Sequence, residues 1–339
     1  MLVNLIPDAL VRLFAAPYVA GDRMDDGLEV AHRLLDQASI QTTLDLLAEE
    51  VSDEHRVAEN HRAYLDLIDA LGKDPRFADK TTRPTVSVKL SSFTLAPLEK
   101  GGDASGSREH MLDVAAHAKA ANVALSIDME DRHWTDFTLD IARELFLSGH
   151  DVGAVLQTRL HRTEADIESL PEGMRVRMVI GIYQEPATDA LTQKREMKER
   201  LLVQSARLLD RGLYVEFASH DQEFLRRFLE DVVTPRKLDG DRYELQMLYG
   251  VPRATILAEI LSGNWTPSPI PPTVRLYVPY ATDWSQATAY CRRRLAANPG
   301  LGLYVFRNLL GSLGSLGSSG KGIAPYVSAL GKIREEQGV

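Results

Sequence analysis

The 339-residue chain predicts a (βα)8 barrel, an α/β fold with helices before it and a helical tail after it. Three observations carry that expectation. Eight short β-branched runs recur along the chain, helical stretches separate them, and no G-x-G-x-x-G follows any strand. Strands alternating with helices favour parallel pairing. The missing glycine fingerprint argues against a doubly wound dinucleotide fold.

The strands are read at 40–48, 84–90, 123–129, 152–158, 176–183, 213–219, 242–249 and 274–280. They look apolar on both parities, as strands buried on two faces do. The clearest helices are 53–71, 108–122, 189–212 and 283–300. Asp53 and Asp283 are N-cap candidates, while Gly212 and Pro299-Gly300 are stop signals. The segment GSLGSLGSSGKG lacks phosphate-loop spacing and reads as a connector to a last helix, PYVSALGKIREEQ. The expected organisation is a helical arm over 1–39, the barrel over 40–300 and a partly helical tail over 301–339.

Composition narrows the function classes. Hydrophobic residues are 44% and charged residues 26%, which excludes full-length disorder. A net charge of −9 disfavours a general nucleic-acid binder. The single cysteine, Cys291, excludes an internal disulfide framework and cysteine-rich zinc sites. No apolar run approaches the roughly 20 residues of a membrane-spanning helix. The N-terminal stretch lacks a secretory n-region, so a cytoplasmic location is expected.

In such a barrel, chemistry gathers at the C-terminal ends of the strands. Those positions hold Lys89; Asp128, Glu130, Asp131 and His133; Gln157 and Arg159; Arg177 and Tyr183; Ser219, His220 and Asp221; and Tyr277 and Tyr280. Near the C-terminus, Tyr290, Arg293 and Arg294 share one helix face. Two adjacent guanidinium groups suit a carboxylate between them, although a solvated basic helix end has the same appearance. Asp128, Glu130 and His133, with His220 across the mouth, admit a metal-assisted hydrolase or aldolase, but their spacing matches no strong metal signature. A barrel that only binds is a third reading. His55 and His61 read as a solvated helix face, and His117 as core or boundary.

The motifs VSVKLSS, SIDMED, VLQT, RMVIGIYQEP, YVEFASHD, YELQMLYGV, YVPY and AYCRRRLAANPG stand in an order that resembles the proline dehydrogenase family. The resemblance runs from about residue 19 to 308. It implies a distorted barrel holding FAD noncovalently and oxidising L-proline to Δ1-pyrroline-5-carboxylate. It also implies a quinone electron acceptor, and with it peripheral contact at the inner face of the membrane.

By resemblance, Arg293 and Arg294 clamp the substrate carboxylate, Lys89 assists them, and Asp128 positions all three. Tyr183, Leu248, Tyr277 and Tyr290 wall the ring, with Tyr280 an alternative to Tyr277. Arg177 stands beside flavin N5, and Gln157, Val179, Lys194, Ser219 and His220 line the cofactor. No metal and no general base is assigned. The family pattern R-x-V-K-G-A-Y is RMVIGIY here, so Ile180 replaces a lysine and Ile182 a small alanine. Ala297 stands where a glutamate is common. These departures leave another cyclic imino acid, such as hydroxyproline, open as the substrate. The length implies the monofunctional form.

Overall fold

A computed structural model describes residues 17–48, 51–265, 271–282 and 323–337. Eight parallel strands close in sequence order: β1 Gln41–Leu47, β2 Thr85–Val88, β3 Leu125–Ile127, β4 Val152–Gln157, β5 Arg175–Val179, β6 Tyr214–Ala218, β7 Tyr243–Leu248 and β8 Thr273–Ala281. The seam between β1 and β8 runs from Gln41 opposite Arg275 to Leu47 opposite Ala281. The helices are α1 Met24–Ala38, α2 Glu54–Lys73, α3 Ser107–Ala121, α4 Thr135–Leu147, α5 Thr163–Ser169, α6 Lys194–Asp210, α7 Gln222–Arg227, α8 Ala254–Leu261 and α9 Ala324–Gln337. Among the described residues, no helix is long and apolar enough to cross a membrane. The expected helix over 283–300 lies outside the described residues.

Local chemistry sets the element ends. Asp53 caps α2 as expected, its carboxylate accepting the Arg56 N–H at 2.9 Å. Helix α6 starts five residues later than the periodicity predicts. The preceding residues are bonded elsewhere: Leu191 N–H donates to Arg159 O at 2.8 Å, and Ala190 bridges Leu160. Strand β5 stops at Val179 rather than 183, because the chain turns at Gly181 with φ +93°. Tyr183 therefore sits on a loop.

The expectation that both strand parities are apolar is wrong. Outward-facing residues are apolar and pack under the helices, as Leu44, Val86, Ile127, Leu156, Met178, Phe217, Leu245 and Leu276 do. The lumen is largely polar. Among the described residues it holds the cations Lys89, Arg175, Arg177 and Arg275 and the carboxylates Asp45, Asp128, Glu216 and Glu244. Charge matching is what makes such burial tolerable.

These groups form two tiers. Toward the strand N-termini, Arg275 Nε donates to Glu244 Oε1 at 2.6 Å, and Arg175 pairs with Glu216 at 2.9 Å. Gln246 Nε2 donates to both acids, at 2.8 Å and 2.6 Å. That tier closes the barrel floor. The upper tier opens on the mouth.

The His61 expectation is also corrected. Its ring lies 4.5 Å from that of His110 and pairs with Asp113 at 2.9 Å, between α2 and α3. His55 is solvated as expected, and His117 is a half-exposed partner of Asp69 at 2.6 Å.

Candidate active site

Strand geometry sends Asp45, Ser87, Ser126, Arg177 and Tyr277 inward, and Lys89 and Asp128 follow directly on the ends of β2 and β3. Lys89 Nζ lies 2.5 Å from Asp45 Oδ1 and 3.3 Å from Asp128 Oδ2, and it donates to the Tyr277 hydroxyl at 3.4 Å. That hydroxyl donates to Asp128 Oδ2 at 2.6 Å. Ser87 Oγ donates to Asp128 Oδ1 at 2.7 Å, and Arg177 pairs with the same oxygen. The Arg177 guanidinium also lies 4.8 Å from the centre of the Tyr277 ring. Lys89, Asp128, Arg177 and Tyr277, expected from the sequence, are thus one connected cluster.

Electrostatics fixes their protonation. Burial pushes the Asp128 pKa up, but Arg177, Lys89 and the Tyr277 and Ser87 hydroxyls overcome it and hold it at about 2. Burial disfavours the Lys89 ammonium, yet the fields of Asp45, Tyr277 and Asp128 win and raise it well above its ordinary value. Asp45, fully buried, is pushed upward by desolvation more than Lys89 pulls it down. The result is a preorganised set of cations and hydroxyls whose charge state is steady around neutral pH.

Tyr277 faces the lumen and packs with Leu248, Tyr18 and Val251. Tyr280 does not compete with it. It is buried on the outer face, with a ring carbon 3.3 Å from where a Cβ on Gly27 of α1 would lie. Tyr183 is half-buried at the rim, where burial raises its pKa. Ile182 beside it is 46% exposed. Tyr290, Arg293, Arg294 and Ala297 lie outside the described residues.

Along the opposite side of the mouth, Gln157 Nε2 donates to Glu130 O at 2.7 Å. Val179 O accepts from Thr158 N–H at 2.8 Å. His220 Nε2 accepts the Leu248 N–H at 2.8 Å, which puts a neutral ring's proton on Nδ1. Ser219 Oγ accepts from Asp221 N–H at 3.1 Å, and Lys194 is exposed at the first turn of α6. Among the described residues, Gln157 Oε1, Arg159 Nε and Arg177 Nε are buried with no hydrogen-bond partner. No group of three or more His, Cys, Asp or Glu side chains among them could hold a metal ion, so Asp128, Glu130, His133 and His220 do not form the metal cluster the second reading requires.

The sequence reading missed Asp45, Ser87 and Ser126. Asp45 carried a signal: one carboxylate within TTLDLLA, on the parity of Thr43. Gly181 was also missed. A Cβ there would lie 2.3 Å from Gln157 Oε1 and 3.2 Å from Arg159 Cδ. Gly181→Ala should therefore lower stability by about 1–3 kcal/mol, through strain and displacement of Gln157. Denaturant melts check it, and an unchanged midpoint would refute the close packing.

Glu130 supplies a pH prediction. Burial raises its pKa from 4.5 to about 7, against the hydrogen bond from Ser91 N–H. A folded-state pKa above the unfolded one gives stability that is full below about pH 4.5 and lost as pH rises through about 7. The loss approaches about 3 kcal/mol at mildly alkaline pH. Glu130→Gln should flatten the fall in Tm between about pH 5 and 8. An identical slope in the parent and the variant would count against a buried, neutral Glu130.

A family profile described as proline dehydrogenase matches residues 28–300. A proline dehydrogenase of Deinococcus radiodurans is 31% identical over 305 residues, covering 87% of this chain and 90% of that protein. Proline dehydrogenase 1 of Bacillus subtilis subsp. natto is 29% identical over 305 residues, covering 88% and 91%. Among solved structures, proline utilization A from Bdellovibrio bacteriovorus, inactivated by N-propargylglycine, superposes with a TM-score of 0.71 at 20% identity. That match covers 92% of this chain but only 35% of the larger protein, and it supports the barrel fold. By the profile match and the identity to these relatives, the chain belongs to the proline dehydrogenase family.

Proposed function

We propose that this protein oxidises L-proline to Δ1-pyrroline-5-carboxylate, using noncovalent FAD, and passes the electrons to a quinone. The observation that carries the reading is the family match across residues 28–300, on a barrel whose mouth gathers Lys89, Asp128, Arg177 and Tyr277 into one network. The residues fit a flavin: Gln157 Oε1, Arg159 Nε and Arg177 Nε are buried polar atoms suited to the edge and tail of such a group. Bound FAD would supply a two-electron acceptor for the hydride leaving the ring carbon.

The chain's own residues do the rest. Arg293 and Arg294 are proposed to clamp the carboxylate, with Lys89 assisting and Asp128 holding Lys89 in place. Tyr183, Leu248, Tyr277 and Tyr290 would wall the ring in a near-attack pose. Arg177 would place positive charge where negative charge develops, while Gln157, Val179, Lys194, Ser219 and His220 would line the cofactor. No base is needed when the amine binds neutral. The proposed unit is a barrel over 40–300 between a helical arm and a tail, and the quinone implies peripheral contact with the inner face of the membrane.

Turnover of L-proline, hydroxyproline and pipecolate with a soluble quinone tests the reading. Proline should give the highest kcat/KM, and no turnover of any of the three would reject it. Preference for hydroxyproline would shift the substrate rather than the chemistry, in line with Ile182 standing where the family has a small alanine.

A further inference from the structure

Arg159 stands at the exit of β4, within the group of residues proposed to line the cofactor. Its N–H donates to Ile180 O at 3.3 Å, and its carbonyl accepts from Leu191 N–H at 2.8 Å, so its backbone is fixed from two sides. Its side chain packs over Gly181, where the missing Cβ leaves room for it. It reaches the first turn of α6, and its only side-chain hydrogen bond among the described residues is the weak one from Nη2 to Met197 Sδ at 4.0 Å. Its Nε is buried without a partner.

Among the described residues, no carboxylate pairs with this charge. The acid whose field is felt there is Glu185, which already receives Arg132 Nη1 at 2.8 Å and the Arg132 N–H at 2.9 Å. Burial accordingly pulls the Arg159 pKa down. A half-buried guanidinium with no anionic partner among the described residues is unfavourable, which points to an anion brought by a ligand. One neighbour agrees. The N-terminus of α6, whose Gln193 N-cap makes no side-chain capping bond, lies beside Arg159, with Met197 of its first turn meeting Nη2. Gln157 Oε1, unpartnered and 2% exposed by residue, is an acceptor and suits a donor of the same ligand rather than its phosphate.

We infer that Arg159 binds a phosphate oxygen of the FAD pyrophosphate, as a cofactor-anchoring residue beyond those the family resemblance implies. This rests on the flavin reading above. Planar guanidinium forks suit phosphate bidentately, and a dry setting strengthens the contact. Arg159 is thus a residue whose charge burdens the apoprotein and favours the loaded one.

The test is titration of apoprotein with FAD and, separately, with riboflavin, read by flavin fluorescence. Arg159→Gln should raise the FAD Kd about tenfold or more and leave the riboflavin Kd within about twofold, because riboflavin has no phosphate. Arg159→Lys should recover part of the loss. The apoprotein Tm of Arg159→Gln should equal or exceed the parent's, since a lone buried charge has been removed. An unchanged FAD Kd overturns the inference, as does equal weakening of both flavins, which would put Arg159 against the ring or ribityl chain. A lower apoprotein Tm with unchanged FAD affinity makes Arg159 structural and overturns it too. A parent protein that takes up neither flavin overturns the flavin reading, a result distinct from the others.

Discussion

Arg294→Ala should lower kcat/KM for L-proline by about 100- to 1,000-fold, the range for truncating one arm of a desolvated charge pair. The flavin content should stay near that of the parent. The argument is one of spacing and chemistry. The i, i+3, i+4 spacing of Tyr290, Arg293 and Arg294 is that of one face of a helix, were this stretch helical, and a cationic pair matches an amino-acid carboxylate. The upper tier of the lumen already balances Lys89 and Arg177 against Asp45 and Asp128. It has little net positive charge to spare for a substrate anion, so the proposed arginine pair is expected to supply it. Loss of one guanidinium should therefore appear in substrate affinity and rate together. Steady-state kinetics with an absorbance check for flavin separates that from cofactor loss, and unchanged kinetics would place the carboxylate clamp elsewhere.

Lys89→Met should destabilise the protein by about 3–5 kcal/mol, the usual result of breaking a buried ion pair from one side. Asp45 is fully buried and Lys89 is its cationic neighbour at 2.5 Å. Asp128 loses less, because Arg177, Ser87 and Tyr277 still bind it. The asymmetry gives a rescue experiment. Asp45→Leu combined with Lys89→Met removes both charges and should recover much of the loss, since well-packed apolar replacements are often neutral. The double variant should remain inactive on proline. Equal stability of the single and double variants would mean that Asp45 accepts a proton and tolerates the loss of Lys89. Chemical denaturation of the three proteins decides between these outcomes.

How far the sequence could be read follows the reach of its physics. The eight strands were legible because β-branched runs and turn signals are local. The helix cap at Asp53 was legible for the same reason. Lys89, Asp128, Arg177 and Tyr277 stood out as polar residues at or near strand ends, although Lys89 and Tyr277 are 188 positions apart. Asp45 escaped notice because its partner is 44 residues away, just past the end of the next strand. A single acid in an apolar strand reveals nothing of an inward ammonium until the barrel closes. The floor tier of Arg175, Glu216, Glu244 and Arg275 was invisible for that reason, which is also why the lumen was misjudged as apolar. The late start of α6 turned on hydrogen bonds from 190 and 191 to the β4 exit, a tertiary effect that periodicity does not register.

The most direct test of the whole account is the visible spectrum of the purified protein, followed while L-proline is added without oxygen. The account predicts a yellow protein whose band near about 450 nm bleaches on addition of L-proline and returns when a quinone is admitted. A colourless protein that stays colourless after incubation with FAD, or a yellow one whose spectrum proline leaves untouched, would contradict it.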